Sequence, residues 1–484
     1  MQNRLASLII LVFILLRFIN LNSHVTFLGD QGRDAIIMKR ILTLEHFPAI
    51  GAPTSIGMVY LGPFYYYFMA PWLLLFNFNP LGPAFGMAFL SSVLGLLAYL
   101  LIYKHFDNLT ALFFLFFLTF SFSNISLSRF SWNPNLLPIF TFFTLYAFYQ
   151  VLYENSKKNK IKFFWPLLFG ALFSFSFQLH YLAILLLPTF LLFFGLRIKE
   201  TKTVMPYLVK IGLSVVTFIF FSIPLLIFDL RHNFLNFNNL LKLFFQGDVT
   251  SQNGYLQRLI ETIIGFWQHS WAITLDQFWA LGLIILLLVT LIKFGRKSKS
   301  PWYWLNLANL VFFLLGFAAL NSNRFEHYFG PVYFSLFLTL GFVFSYRFRN
   351  CPICRYIVPL FLLIFFIANF YKFKVYFSPG GNQIEQARIV SHSILNKVTK
   401  TPYQLVSIPF TETHGQHRYF LEMFNKRPLE ENSADLAEEL FVLCFLKECN
   451  VLGDPQWQIA VFANKKIAKI WTVNNIKIYK IIHQ

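Results

Sequence analysis

Apolar runs of about twenty residues recur along this chain, the length an α-helix needs to cross the ~30 Å hydrocarbon core of a bilayer. They fall at 5–22, 83–103, 109–125, 134–153, 163–178, 180–196, 207–228, 275–294, 302–320, 328–346 and 356–372. Of the 484 residues, 57% are hydrophobic and only 13% charged, too little charge for a surface that faces water. The fold class expected is therefore α, a polytopic transmembrane helical bundle of about eleven spans. One further apolar run, 62–77, is short, carries Pro63 and Pro71, and is followed by Pro80 and Pro83.

The net charge of +19 is not gathered into a patch that would suit nucleic acid. It sits in short clusters between the apolar runs: Lys157, Lys158, Lys160 and Lys162; Arg197, Lys199 and Lys202; Lys293, Arg296, Lys297 and Lys299; Arg347, Arg349 and Arg355. Cytoplasmic loops carry such clusters. With the N-terminus and Arg4 inside, and 62–77 lying along the surface as an interfacial helix, every cluster falls on the cytoplasmic side together with Lys104. The short opposite loops then keep only Arg129 and Arg324. A crossing at 62–77 would turn all the clusters outward. The pair 163–178 and 180–196, divided at Gln178-Leu179-His180, reads either as two short spans or as a re-entrant pair; both preserve parity. The reading is a multi-pass protein of the cell (plasma or inner) membrane with a cytoplasmic N-terminus.

Residues 1–376 form the membrane domain, with a first outer loop at 23–82 and a middle outer loop at 229–272, amphipathic around Tyr255–Trp271. Residues 377–484 read as a small extracytoplasmic α/β domain. There Asn382 and Glu385 mark a helix start, with Ile384, Ala387, Ser391, Ile394 and Val398 at helical spacing. Tyr403–Ile408 reads as a strand, and Ile467–Val473 and Ile476–Ile481 as a hairpin turned by Asn474-Asn475. The polar stretch Thr411–Arg418 reads as a turn into a helix around Phe420–Phe424. Cys351 and Cys354 read as two loop thiols without a second pair to complete a zinc site. Cys444 and Cys449 can pair if their segment faces an oxidising compartment.

The first outer loop opens on Gly29-Asp30-Gln31-Gly32-Arg33-Asp34. Asp30 and Asp34 share a helix face, which suits a general base for a hydroxyl acceptor; the bland reading is a solvated helix start with an Arg33–Asp34 pair. At the same depth come Arg129 with Asn133 and Asn135, His180 with Tyr181, Asp229-Leu230-Arg231-His232, and Arg324 with Glu326 and His327. Each alone reads as an interfacial anchor. Together they place arginines beside histidines and amides, a set suited to an anionic head group such as a lipid-linked phosphate. No Gly-rich phosphate loop, HExxH or GxSxG occurs, so no soluble cofactor is expected.

These residues resemble the GT-C superfamily of polyprenyl-phosphate-sugar-dependent glycosyltransferases, in the bacterial branch of protein mannosyltransferases, lipid A aminoarabinose transferases and Rgt-type galacturonosyl transferases. The acidic motif is matched by Asp30, the interfacial helix by Pro63–Tyr67, the Arg-containing loop by Ser128-Arg129 through Pro134-Asn135, and the late loop by His327-Tyr328-Phe329-Gly330-Pro331. The resemblance implies a GT-C membrane bundle and transfer from a lipid-linked (polyprenyl-phosphate) sugar to a glycan, lipid or protein hydroxyl, with inversion. It implies that Asp30 deprotonates the acceptor, with Asp34 as a second carboxylate. Arg129, Arg324 and His327 would hold the donor phosphate. Arg33, Asn135, His180 and Tyr66 are the candidates to contact substrate. Two positions depart from the family: Gln31 replaces its second acidic residue and Asn135 a carboxylate, so no metal is assigned. The competing reading is a non-enzymatic flippase of a lipid-linked saccharide. A transporter places ionisable groups in mid-membrane and repeats its halves; here only Arg17 lies well inside a span. An O-antigen-ligase or polymerase type of enzyme would carry its polar residues in a large late loop, whereas 321–328 is short.

Overall fold

The computed structural model describes residues 2–54, 58–154, 163–245 and 254–484; the cluster Lys157–Lys162 lies outside these. Among the described residues, eight helices are long and apolar enough to span a membrane: Leu81–His105, Asn133–Tyr153, Tyr181–Thr201, Met205–Arg231, Gln277–Gly295, Pro301–Ala319, Glu326–Asn350 and Cys354–Phe377. The shorter apolar helices Asn108–Phe120 and Phe164–Leu179, with Gln2–Phe18, account for the remaining runs. The chain is a multi-pass membrane protein.

The helix within 62–77 is Phe64–Leu75, 12 residues long. At 1.5 Å per residue it reaches about 18 Å, which is short of a crossing. It buries Tyr65, Tyr66, Met69, Ala70 and Leu73 in a core that also takes Ala35, Met38 and Ile41 from the first-loop helix Gly29–Leu42.

The ambiguous pair forms two helices, Phe164–Leu179 and Tyr181–Thr201, that run alongside Asn133–Tyr153. Asn133 Nδ2 donates to Leu179 O at 2.9 Å, so the turn at His180 is level with the start of Asn133–Tyr153. At the other end Arg197 Nε donates to Leu152 O at 3.1 Å and Lys210 Nζ to Val151 O at 2.8 Å. The run 109–125 is broken at Ser121, whose Oγ caps a short helix at Phe122–Leu127. Arg17 lies inside the bundle with its guanidinium on Phe13 O at 2.7 Å and over the Phe13 ring, so this intramembrane cation is held by its own helix.

The C-terminal segment folds around a four-stranded sheet of order β1-β2-β4-β3. Strand β1 (Tyr403–Ile408) runs parallel to β2 (Glu439–Cys444), and β2 is antiparallel to β4 (Ile476–His483). Strand β3 (Lys465–Val473) closes the expected hairpin with β4. Asn474 and Asn475 sit at φ 48° and 63°, the left-handed pair a two-residue type I′ turn requires. The helices Gln383–Leu395 and Gly415–Met423 also form. Cys444 pairs with Cys449. Cys351 and Cys354, expected as free thiols, are paired as well, because the turn between two helices brings their Cα atoms to 5.2 Å.

Candidate active site

The site begins with the first turn of the helix Gly29–Leu42. Gln31 Oε1 accepts the Leu28 N–H at 3.1 Å, so the residue standing where the family has a second acid holds the helix start instead. Positions 30 and 33 are one turn apart, and Arg33 Nη1 reaches Asp30 Oδ1 at 3.0 Å. The same guanidinium places Nε and Nη2 on Asp34 Oδ1 at 3.0 and 2.8 Å. One fork therefore orients both carboxylates.

Those carboxylates differ in setting. The Asp34 side chain is 2% exposed and the Asp30 side chain 45%. Burial pushes the Asp34 carboxyl above the usual carboxylate range, outweighing the opposing pull of Arg33. Burial and the Asp34 charge likewise hold the Tyr66 hydroxyl protonated, well above its ordinary range. Asp34 Oδ2 and Tyr66 Oη face this buried side without a hydrogen bond of standard geometry. Beside them Tyr65 Oη shares a 2.6 Å bond with Ser131 Oγ.

Asp30 and Arg33 instead border a cavity of about 660 Å³. Its walls come from five further places: the first loop (Ala52, Pro53, Thr54, Met58, Leu61), the loop Trp132-Asn133-Pro134, His180, His269, and Phe325-Glu326-His327-Tyr328. The first-loop wall is a hairpin-like strap, closed by Leu61 N to Ala52 O at 3.0 Å and Thr54 N to Val59 O at 2.8 Å. Asn236 fastens the strap with two 2.7 Å bonds, accepting from Tyr60 N and donating to Tyr60 O.

Histidines shape the polar side of this space. His180 Nδ1 accepts the Leu182 N–H at 3.2 Å, which leaves Nε2 as the protonated nitrogen of the neutral ring. His327 packs edge-on against Trp132, with ring centroids 4.6 Å apart, and lies 6.2 Å from His180. His269 donates Nε2–H to Arg324 O at 2.9 Å; burial pulls it below the ordinary histidine value, partly countered by that bond.

Asp30, Arg33, His180 and His327 are thus brought to one cavity, while five other expected site residues are not among its walls. Asp34 and Tyr66 lie behind Arg33. Asn135 is buried with Nδ2 on Phe130 O at 3.0 Å. Arg129 places Nη1 on Leu16 O at 2.8 Å and Nη2 on Ile19 O at 2.6 Å, and its guanidinium lies 4.1 Å over the Tyr376 ring. It closes the carbonyl end of the first span, where helices leave acceptors unpaired. Arg324 donates to Thr262 Oγ1 at 2.8 Å, Leu320 O at 3.1 Å and both oxygens of Ser322, over the Phe317 ring. Conversely, Glu326, named in sequence beside Arg324 and His327, does line the cavity, while sequence reasoning missed His269 and the strap as parts of the site. The amphipathic pattern of Tyr255–Trp271 was the available signal for His269. Among the described residues, no three His, Cys, Asp or Glu side chains come together as a metal-binding group.

No family model matches this sequence, and neither does any curated protein. Solved structures do match. ArnT from Cupriavidus metallidurans bound to undecaprenyl phosphate superposes with a TM-score of 0.64 at 12% identity, over 98% of this chain and 97% of that one. The same enzyme in its apo state gives 0.61 at 12% identity, with the same coverage. The Archaeoglobus fulgidus oligosaccharyltransferase in complex with Zn and sulfate gives 0.52 at 15% identity, over 88% of this chain and 62% of that one. ArnT and the archaeal oligosaccharyltransferase are GT-C glycosyltransferases, and likeness at these identities is likeness of fold.

Proposed function

We propose that this chain, which has the polytopic fold of the GT-C glycosyltransferases, moves a sugar from a polyprenyl-phosphate donor to a hydroxyl acceptor. The reaction takes place on the extracytoplasmic face, opposite the basic loops. One observation carries the reading: a half-exposed carboxylate, Asp30, oriented by Arg33 at 3.0 Å, borders a cavity of about 660 Å³ walled by three histidines. A solved structure of the same fold, ArnT, holds undecaprenyl phosphate.

In this arrangement Asp30 takes the proton of the acceptor hydroxyl as that oxygen attacks the anomeric carbon. The bond that breaks joins the sugar to the carrier phosphate, a leaving group that departs as an anion and needs little protonation. Its charge is met by Arg33 and by the N–H donors of His180 and His327, arranged before the reaction begins. Asp34 keeps Arg33 in place from behind. The strap segments 52–54 and 58–61 and the Trp132 loop exclude water that would compete with the acceptor. Arg129 and Arg324, expected from the resemblance to grip the phosphate, serve in this reading to brace the walls. Arg324 does so directly, because its carbonyl holds His269.

Membranes or nanodiscs containing the protein, supplied with radiolabelled polyprenyl-phosphate sugars, should release free carrier phosphate as sugar is transferred. Asp30→Asn should retain donor binding and lose about 10²-fold or more of that release. Equal turnover by parent and variant would remove Asp30 from the mechanism. Donor translocation without carrier release would favour the flippase reading.

A further inference from the structure

The C-terminal domain touches the helix that carries Asp30 and Arg33 at both ends. At its start the contact is backbone on backbone. A Cβ added at Gly32 would lie 2.1 Å from Gln416 N, and one at Gly415 would lie 2.3 Å from Gly29 O and 2.9 Å from Arg33 N. Gly29 and Gly32 are one turn apart, on a stripe adjacent to that of Asp30 and Arg33. The helix Gly415–Met423 therefore rests against the back of the turn whose neighbouring face borders the cavity.

At the far end the contact is ionic and largely dry. The Glu422 side chain is 6% exposed and accepts from Arg40 Nε at 3.1 Å, Arg40 Nη2 at 2.7 Å and Lys39 Nζ at 3.3 Å. Arg427 Nε approaches the same carboxylate at 3.7 Å, and Arg40 keeps a second partner in Glu430 at 2.8 Å. A forked pair of this kind fixes orientation as well as distance. Phe27, just before the helix, packs edge-on against Tyr419 and Phe420 with centroids 6.0 Å away, and its N–H is held by Gln383 Oε1 at 2.8 Å.

We infer that Glu422, together with the Gly29/Gly32–Gly415 contact, is the positioning device of the active site: the C-terminal domain sets the height and rotation of the helix that presents Asp30 and Arg33. The domain is then a working part of the catalytic unit. Its glycine contact fixes where the helix starts, and Glu422 prevents the helix from rotating about that point. A displacement of about 1 Å at a reacting group costs up to about 10²-fold in rate, so loss of either contact lowers turnover while the donor-binding histidines stay in place. The turnover arm of this inference rests on the transferase reading; the structural arm does not.

The test compares Glu422→Gln with the parent chain by amide hydrogen exchange on the full-length protein in nanodiscs, and by carrier release. The expected result is exchange about tenfold faster across residues 33–42, with β1 and β2 unchanged. Turnover should fall about tenfold. The charge exchange Arg40→Glu with Glu422→Arg should recover part of both losses. Should Glu422→Gln fail to fold, Arg40→Gln removes the same pair from the other side and is read the same way. Unchanged exchange over 33–42, or an equal rise in β1 and β2, overturns the inference, since the second result marks a general loss of stability. Exchange needs no substrate, so a parent chain that releases no carrier counts against the transferase reading and leaves this inference to the exchange data.

Discussion

Replacing Arg129 by alanine separates two roles that its sequence neighbourhood leaves open. A residue that holds the donor phosphate lowers donor affinity when removed and leaves the fold intact. A residue that closes the end of the first span does the reverse. Arg129 is 2% exposed and makes two charge-assisted bonds to the carbonyls of Leu16 and Ile19, each contributing about 1.5–3 kcal/mol. Stacking over Tyr376 at 4.1 Å adds about 0.5–2 kcal/mol. Removing the guanidinium also removes the cost of burying a cation, which offsets part of this. One buried carbonyl, Leu16 O, and one part-buried carbonyl, Ile19 O, are left without donors, at about 1–3 kcal/mol each where water cannot reach them. The balance is a destabilisation of about 2–4 kcal/mol. Thermal unfolding in detergent, read by tryptophan fluorescence, should show a clear fall in midpoint. Donor KM, measured on the fraction that remains folded, should stay within about twofold of the parent. A variant with the parent's unfolding midpoint and a donor KM raised about tenfold or more would refute this reasoning and return Arg129 to the phosphate.

Three further outcomes follow from the same geometry. Arg33→Gln strands Asp34 in a buried site and should destabilise the protein by about 3 kcal/mol, whereas adding Asp34→Asn should recover most of that loss without restoring turnover; unfolding midpoints and carrier release check both halves. His327→Ala should raise donor KM about tenfold while Asp30 chemistry persists, because one phosphate donor is removed and the base is untouched; an unchanged KM excludes His327 from donor binding. The C-terminal domain should lose stability in mild acid. Burial pulls His414 down to about 3 and His417 to about 4, so both stay neutral in the folded domain below the ordinary histidine value of about 6.5 while the unfolded chain binds protons. Stability is therefore full above about pH 6.5 and falls by about 1.4 kcal/mol per pH unit for each histidine, down to the depressed values. Hydrogen exchange of β1 and β2 at pH 7 and pH 5 measures it, and equal protection at the two values would contradict the burial.

Much of the architecture was legible because bilayer physics restricts what a sequence can do. Twenty apolar residues in a row have few folded solutions, and the apolar runs recur as helices in the structure. The run 62–77 was separable from the spans by its length, its prolines and the charge parity, and a helix of 12 residues formed there. The Asn474-Asn475 turn was legible because its backbone requirement is local. Strand β2 was not recognised: Glu439–Cys444 is buried on both faces, and a short apolar run with no alternation resembles a piece of buried helix.

The site was legible to the extent that side-chain identity determines function, and obscure where the partner decides it. Asp30 and Arg33 sit on the same stripe of one helix, so their pairing follows from spacing alone. Arg129 and Arg324 carry the same charge at nearly the same depth, yet the Arg129 guanidinium is taken up by carbonyls of the first span, which the sequence does not place beside it, and the Arg324 guanidinium by the Leu320 and Ser322 carbonyls of its own loop and the Thr262 hydroxyl. His269 shows the converse. Its helix reads only as amphipathic, and it joins the cavity because the Arg324 carbonyl lies 2.9 Å from its ring. The arginine expected to act thus holds the histidine that was overlooked. In a thin polar layer at a membrane rim, unpaired helix-end carbonyls compete with any ligand for every cation nearby. A cation reaches substrate only if the local helix ends are already satisfied or lie out of reach. Arg33 meets that condition, because it sits near the start of its helix, where the orphan groups are N–H donors and the partners within reach are carboxylates.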